Sequence, residues 1–209
     1  MANAAAITEK LKELYPEALC ALKYNGEPWR LLVMARLSAQ CTDERVNAVC
    51  THLFERFPTV QSLAYAPSEQ VEGLIYSCGL YKVKARDITA ACRILVEEYG
   101  GKLPSEMDVL LSLPGVGRKI ANLLRGDIYG MPAIVADTHC IRISRRMGLV
   151  PADRKTPEAV EKILSEKIAE NEQSDFCHRI VLLGREYCPA RGYDCKTCPM
   201  NALCDKVVF

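Results

Sequence analysis

Apolar residues recur along the chain at steps of three and four, the spacing that places them on one face of an α-helix. Ile7, Leu11 and Leu14 follow this step near the N-terminus, and Ile120 and Leu124 follow it further along the chain. Runs that alternate apolar and polar residues over the length of a strand are rare. The pattern therefore predicts an all-α fold.

Glycine and proline divide the helical pattern into about ten segments of helix length. Pro28 suits the first position of a helix that continues through WRLLVMARLSAQ. Thr42 or Asp43 can cap the following helix, DERVNAVCTHLFERF. Ser105 with Asp108 resembles a capping box, which predicts the start of another short helix.

The composition is that of a globular protein, because 49% of the 209 residues are hydrophobic and can bury a core. No apolar run approaches the roughly 18 residues that a membrane span needs. The N-terminal stretch MANAAAITEKLKEL lacks the basic and then apolar regions of a secretory signal. We therefore expect a cytoplasmic protein with no targeting signal and no membrane partner.

The net charge of +1 conceals a local separation of charge. Between Arg118 and Arg146 there are six Lys or Arg residues and two Asp residues. In the next segment, 147–177, four Lys or Arg residues stand against seven Asp or Glu residues. This distribution predicts one basic face and one acidic face.

The stretch LPGVGRKIAN, residues 113–122, predicts a tight turn between two helices. Its proline disfavours helix at the preceding residue, while Gly115 and Gly117 permit positive φ angles and a close approach of the backbone. Arg118 and Lys119 then open the second helix, whose N-terminus attracts anions. An ordinary C-cap glycine is the alternative, but the G-x-G-R-K pattern favours a site for a DNA phosphate.

Lys119 and Asp137 are the candidate catalytic residues. The helix dipole and Arg118 disfavour the charged form of the Lys119 amine, and a neutral amine is what Schiff-base catalysis requires. A second phosphate contact is the alternative role for this lysine. Asp137 precedes a helical pattern and is most simply an N-cap, a role that also keeps its carboxylate ionised. Such an anion can stabilise a developing sugar cation and move protons to and from the amine.

Four cysteines near the C-terminus, Cys188, Cys195, Cys198 and Cys204, have the spacing C-x6-C-x2-C-x5-C. Thiolates in this number bind either tetrahedral zinc or an iron–sulfur cluster. Structural zinc sites commonly use two Cys-x-x-Cys pairs, and only one pair is present, so the spacing mildly favours iron–sulfur. The other cysteines are expected to be small core residues. They stand at positions 20, 41, 50, 78, 92, 140 and 177.

Taken in this order, these features resemble the endonuclease III family of DNA glycosylases, members of the helix-hairpin-helix superfamily with a glycine/proline-rich loop and a distal aspartate. The resemblance covers almost the whole chain. It rests on the cysteine spacing and on LSAQCTD (37–43), GLYKVKA (79–85), LPGVGRKIAN (113–122) and VADTH (135–139).

The resemblance implies an all-α fold of two helical domains with DNA bound in the cleft between them. A six-helix barrel with the helix-hairpin-helix motif would span 21–131. The second helical domain would combine 1–20 with 132–209 and hold a [4Fe-4S] cluster on the four C-terminal cysteines.

The resemblance also implies roles for individual residues. Lys119 matches the nucleophile and Asp137 the essential carboxylate, while Gln40 and Leu80 match residues that fill the gap left by an extruded nucleotide. A histidine near a helix start is more often a packing residue, but His139 is kept as a candidate. The further candidate DNA contacts are Gly115, Gly117, Arg118, His139, Arg142 and Arg191.

The implied function is a bifunctional DNA glycosylase/AP lyase of base excision repair. It would excise oxidised pyrimidines from duplex DNA and cleave 3′ to the abasic site by β-elimination. The implied partner is double-stranded DNA with damaged bases or abasic sites, bound by a monomer in a bacterial or archaeal nucleoid. Arg36 and Cys78 replace the apolar residues usual in the family, and we expect them to affect the choice of opposite base.

Two other functions remain open at this point. A mismatch-specific thymine or uracil glycosylase shares the scaffold, although that branch often carries tyrosine in place of the lysine. A non-catalytic DNA-binding module with structural zinc belongs to a different class, and the presence of both Lys119 and Asp137 argues against it.

Overall fold

The computed structural model describes residues 3–208, and within that range it contains helices but no β-strand. The predicted all-α fold is therefore confirmed. The helices are α1 (Ala4–Leu14), α2 (Pro28–Leu37), α3 (Asp43–Arg56), α4 (Val60–Ala64), α5 (Ser68–Ile75), α6 (Tyr81–Tyr99), α7 (Met107–Ser112), α8 (Arg118–Tyr129), α9 (Thr138–Arg146), α10 (Pro157–Lys167) and α11 (Gln173–Glu186). Short 3-10 turns lie at Tyr76–Cys78 and Glu170–Glu172. In the described part of the chain, no helix is both long and apolar enough to cross a membrane.

The chain divides into two compact units. The first, here called the hairpin unit, is Ala21–Leu124. The second, here called the cysteine unit, combines the residues up to Cys20 with those from Arg125 onward. Helix α8 contributes residues to both units. The six-helix barrel domain expected over 21–131 and the second helical domain expected over 1–20 plus 132–209 stay a prediction.

Helices α2 and α6 form the centre of the hairpin unit. Seven of the ten residues of α2 are buried, so this helix is apolar around most of its circumference, as expected of a core helix. Helix α6 is 19 residues long and packs against α2, α4 and α5. Its buried face includes two charged residues, Lys84 and Asp87, and both contribute to the site described below.

Local capping signals explain most helix starts. Pro28 begins α2, and the Thr42 side chain accepts a hydrogen bond from the Arg45 N–H at 3.3 Å to cap α3, as predicted. The predicted capping box at Ser105 is wrong. Helix α7 follows Glu106, which adopts an extended backbone and makes no side-chain cap. The carboxylate of Glu106 instead accepts a hydrogen bond from the Ser105 N–H, so Ser105 stays outside the helix.

In the cysteine unit, α11 packs against α1 and α9. Arg179 on α11 has a side chain only 4% exposed, and its guanidinium donates to the carboxylates of Glu172 and Asp175, each at 2.8 Å. Its Nε donates to the Tyr15 carbonyl at 3.3 Å. The buried cation thereby connects α11 to the end of α1.

The cysteines outside the C-terminal group are mostly core residues, as predicted. Cys50, Cys78, Cys92, Cys140 and Cys177 are buried. The prediction is wrong for the remaining two, which are only partly buried because they lie in connections between helices. These are Cys20 and Cys41.

Candidate functional site

The turn between α7 and α8 is a tight hairpin. The Val116 N–H donates to the Leu113 carbonyl at 3.1 Å, and the Ala121 N–H donates to the Gly117 carbonyl at 3.0 Å, so α8 starts immediately after the turn. Gly115 has φ +75°, a left-handed conformation that glycine adopts without strain. A Cβ on Gly117 would meet nothing within 4 Å, which leaves this side of the turn open to a partner.

Behind the hairpin lies an ion pair that the sequence did not reveal. Nε and Nη2 of Arg36 both donate to Oδ2 of Asp87, at 3.0 and 2.8 Å, and Asp87 is 7% exposed. A Cβ on Gly115 would collide with Arg36 Nε and would stand 3.0 Å from the Asp87 Cβ. Arg36 therefore neutralises a buried carboxylate on α6 and supports the backbone of the turn.

Lys119 is the second residue of α8 and is exposed. Ala121 and Leu124 of the same helix are buried in the core, because they lie two and five positions after Lys119 and therefore on a different face of the helix. The arrangement presents an amine at the positive end of the helix, beside an open glycine turn. An amine in this position is accessible to a reactant bound at the hairpin.

Gln40 and Leu80 share an unusual backbone conformation. Gln40 lies between α2 and α3 with φ 55°, and Leu80 precedes α6 with φ 48°. The left-handed region costs a non-glycine residue roughly 1–2 kcal/mol. Both residues are exposed, Leu80 at 58%. Strain held at two exposed residues is typical of functional positions.

Asp137 lies in the cysteine unit and caps α9. The preceding stretch Ala133 to Ala136 is buried, and Oδ1 of Asp137 accepts a hydrogen bond from the Cys140 N–H at 2.7 Å. The N-cap interpretation is confirmed. A carboxylate held in this way has one fixed oxygen and a second available for other contacts.

His139 and Arg142, two of the predicted DNA contacts, are turned toward their own unit. Arg142 Nη2 lies 3.1 Å from His139 Nδ1 and donates to the Cys188 carbonyl at 3.0 Å. Both side chains are partly buried. Arg191, by contrast, is exposed in the loop that joins Cys188 to Cys195. Contact with DNA stays a prediction for all three.

The four C-terminal cysteines line one cavity of about 110 Å³ within the cysteine unit. Arg146 Nη1 donates to Cys188 Sγ at 3.2 Å, and the Lys206 N–H donates to Cys204 Sγ at 3.4 Å. Burial raises the pKa of the Cys198 and Cys204 thiols, and N–H donors from Met200 and Lys206 oppose this rise in pKa. The cavity thus combines four thiols with donors that stabilise thiolate charge.

Four cysteines of this kind bind either a zinc ion or an iron–sulfur cluster. Tetrahedral zinc would need all four sulfurs at about 2.3 Å from one point. A cluster of several irons takes each thiolate at a separate metal, around a larger shared volume. Four cysteine sulfurs around one cavity are the donor set that such a cluster uses.

Two functional candidates escaped the sequence analysis. Lys84 is completely buried on α6, at helical spacing with Ile88, Ala91 and Leu95. A lysine on an apolar face is the signal that would have identified it. In the sequence, Arg146 is only one cation of the basic window, and nothing near it indicates that it contacts the sulfur of Cys188, 42 residues away.

This chain is similar to known proteins of DNA repair. The model of the HhH-GPD superfamily base excision DNA repair protein matches residues 33–170. The endonuclease III of Synechocystis sp. is 44% identical over 195 residues, which cover 93% of this chain and 88% of that protein. Two solved structures, a non-covalent endonuclease III–DNA complex and a trapped endonuclease III–DNA covalent intermediate, each superpose with a TM-score of 0.90. Each is 39% identical and covers 99% of this chain and 97% of its own.

Proposed function

Because the chain belongs to the endonuclease III family of the HhH-GPD superfamily, we propose that it removes damaged bases through the amine of Lys119. The protein is a bifunctional DNA glycosylase and AP lyase of base excision repair, and it binds damaged duplex DNA. The observation that carries the proposal for Lys119 is its exposed position at the start of α8, directly after the glycine hairpin.

The reaction begins with a nucleotide extruded from the duplex, a step that is easier where damage has weakened stacking or pairing. The Lys119 nitrogen forms a bond to C1′ while the bond from C1′ to the base breaks, and the base leaves with the bonding electrons and takes up the proton that the amine loses. The bond from C1′ to the ring oxygen then breaks, the nitrogen lone pair forms a protonated imine, and the ring oxygen takes up a proton. Removal of a C2′ proton then breaks the bond from C3′ to oxygen, which cleaves the strand on the 3′ side.

Asp137 is the proposed carboxylate partner of this chemistry. An anion stabilises the positive charge that develops on the sugar as the base departs, and it can accept and return the protons that the amine and C2′ release. Its hydrogen bond to the Cys140 N–H fixes the orientation of the carboxylate. The cap and the catalytic role thus use the same ionised form.

Gln40 and Leu80 are the proposed gap-filling residues, and Gly115, Gly117 and Arg118 the proposed phosphate contacts at the hairpin. Open space beside Gly117 and exposed, strained backbone at Gln40 and Leu80 support these roles. In the cysteine unit, the proposed contacts are His139, Arg142 and Arg191.

We further propose that Cys188, Cys195, Cys198 and Cys204 hold a [4Fe-4S] cluster. The cluster would supply iron–thiolate bonds that fix the fold of the loop carrying Arg191, and no redox step is assigned to it. Purified protein should be yellow-brown, with broad visible absorbance and four irons per chain expected for such a cluster. A colourless native preparation that contains zinc instead would contradict the proposal.

Borohydride trapping tests Lys119. Reduction of the imine should link the protein covalently to a duplex that contains one oxidised pyrimidine. Lys119→Gln should abolish this adduct, whereas Lys162→Gln, at an exposed lysine of α10, should leave it unchanged. An undiminished adduct in Lys119→Gln would move the nucleophile to another residue.

The proposed substrate class is oxidised pyrimidines. A set of duplexes, each with one defined lesion or a G·T or G·U mismatch, measures the preference directly. Faster excision of thymine or uracil from the mismatches would favour the mismatch glycosylase instead.

A further inference from the structure

Lys84 is a fully buried charge that uses every donor it has. Its exposure is 0%, and its Nζ donates to the carbonyls of Leu37 at 2.8 Å, Ala39 at 2.7 Å and Cys78 at 2.7 Å. A lysine ammonium carries three donors. All three are therefore directed at backbone oxygens, and these oxygens come from two separate segments of the chain.

Each of these segments carries an exposed residue with a left-handed backbone. Gln40 follows Ala39 directly, and Leu80 lies two residues after Cys78. Both adopt left-handed backbone, with φ 55° and 48°. A single nitrogen thus holds the peptide that joins Ala39 to Gln40 and the peptide that joins Cys78 to Gly79, one residue before Leu80.

The charge itself indicates that Lys84 does more than fill space. Removing an ammonium from water is costly, and burial accordingly lowers the pKa of Lys84. A methionine would occupy a similar volume without that cost. The ammonium, unlike a methionine, orients the backbone, because its three short hydrogen bonds fix the orientation of three carbonyls around one point.

We propose that Lys84 is a positioning residue that sets the distance and orientation between Gln40 and Leu80, so that both side chains enter the DNA stack together. The inference rests on the gap-filling roles proposed above. Loss of the ammonium would free the Ala39 and Cys78 peptides to rotate. The left-handed residues that follow them, Gln40 and Leu80, would then relax toward common backbone conformations.

Lys84→Met removes the donors and keeps an unbranched side chain. The probe is a duplex with one oxidised pyrimidine and 2-aminopurine in the opposite strand, whose fluorescence rises when the stack is opened. We expect both the fluorescence rise and single-turnover base excision to slow by about 100-fold, the size of effect that a misplacement of about 1 Å produces.

The matched control is Lys167→Met. Lys167 also donates to a backbone carbonyl, that of Leu149 at 2.7 Å, but it lies in the cysteine unit. Its excision rate should stay within about 2-fold of wild type.

A purely structural role would also slow the reaction, so the decisive measurement is a double-mutant cycle. In a Gln40→Ala, Leu80→Ala background, Lys84→Met should slow excision by less than about 3-fold, because the residues through which it acts are already absent. A full 100-fold loss in that background would show that Lys84 acts elsewhere, and it would overturn the inference.

The other outcomes are also distinct. If wild type leaves the lesion duplex intact, the proposed function fails. If the Gln40→Ala, Leu80→Ala protein excises at the wild-type rate, the gap-filling roles fail and the inference fails with them. If Lys84→Met does not fold, Lys84→Gln replaces it, since an amide keeps two donors for the three carbonyls. Failure of both variants to fold would assign Lys84 to stability alone and overturn the inference.

Discussion

Gly115 is the residue at which the hairpin tolerates least change. Its φ of +75° is unfavourable for any residue with a Cβ, and that Cβ would also collide with Arg36 Nε. Gly115→Ala should lower the free energy of unfolding by about 1–3 kcal/mol, measured by thermal or denaturant unfolding. Gly117→Ala is the control and should change it by less than about 0.5 kcal/mol, because its added Cβ meets nothing within 4 Å. Equal losses in both variants would contradict this account of the turn.

The two glycines also show what sequence can predict at the scale of a residue. The pattern G-x-G predicts a tight turn, but both glycines appear equivalent in it. Only the structure places Arg36 and Asp87 behind Gly115 and open space beside Gly117. From the sequence, Arg36 is a departure from the family that is expected to affect the choice of opposite base. Its ion pair could not be predicted, because its partner Asp87 is 51 residues away in the sequence.

At the scale of an element, the start of α9 is where the capping role of Asp137 can be tested apart from its proposed catalytic role. Asparagine is as good an N-cap as aspartate, so Asp137→Asn should melt close to the wild-type temperature and still lose most of its base-excision rate. Asp137→Ala should lose activity and also about 1 kcal/mol of stability. Melting curves and single-turnover excision on the same preparations distinguish the two effects. Normal excision by Asp137→Asn would leave Asp137 with a capping role only.

Elements were predictable where a short-range signal determines them. Pro28, Thr42 and Asp137 begin or cap their helices as the sequence predicts, because each signal involves residues within one turn. The prediction of a capping box at Ser105 failed because the Ser105 N–H donates a hydrogen bond to the Glu106 carboxylate, and α7 begins one residue later than predicted. Lys84 was missed for another reason, since its three acceptors belong to segments that only folding brings together.

At the scale of the whole molecule, the buried cation Arg179 makes the stability of the cysteine unit depend on pH. The hydrogen bond from Arg179, with help from Lys12, holds the pKa of Glu172 below its usual value of 4.5. A carboxylate with a lowered folded-state pKa contributes stability above the unfolded-state pKa and loses it as the pH falls through the folded value. Glu172→Gln should therefore cost about 1–3 kcal/mol at pH 7. The difference from wild type should shrink as the pH falls below 4.5 and disappear once the pH is below the lowered pKa of folded Glu172.

Melting temperatures between pH 3 and pH 7 measure this difference. Glu166→Gln, at an exposed residue of α10, is the control and should follow wild type at every pH. A difference between wild type and Glu172→Gln that persists unchanged to the lowest pH would show that packing, and not charge, is responsible.

The structure also shows that several cations of the basic window are already engaged in hydrogen bonds. Three cations of the basic window, Arg142, Arg145 and Arg146, donate to backbone carbonyls within the cysteine unit. A count along the sequence cannot show this, because it does not reveal which side chains are already engaged by carbonyls. The basic surface available to a phosphate is therefore smaller than the sequence count indicates.

Arg191 is consequently the cation of the cysteine unit whose contribution to DNA binding is easiest to isolate. It is exposed, and each phosphate contact adds about one unit to the slope of log affinity against log salt. Arg191→Ala should reduce that slope by about one. Arg154→Ala is the control, because Arg154 is exposed in the acidic segment and pairs with Asp153 at 3.5 Å. Fluorescence anisotropy of a labelled abasic duplex at several salt concentrations gives both slopes, and equal slopes for wild type and Arg191→Ala would remove Arg191 from the DNA interface.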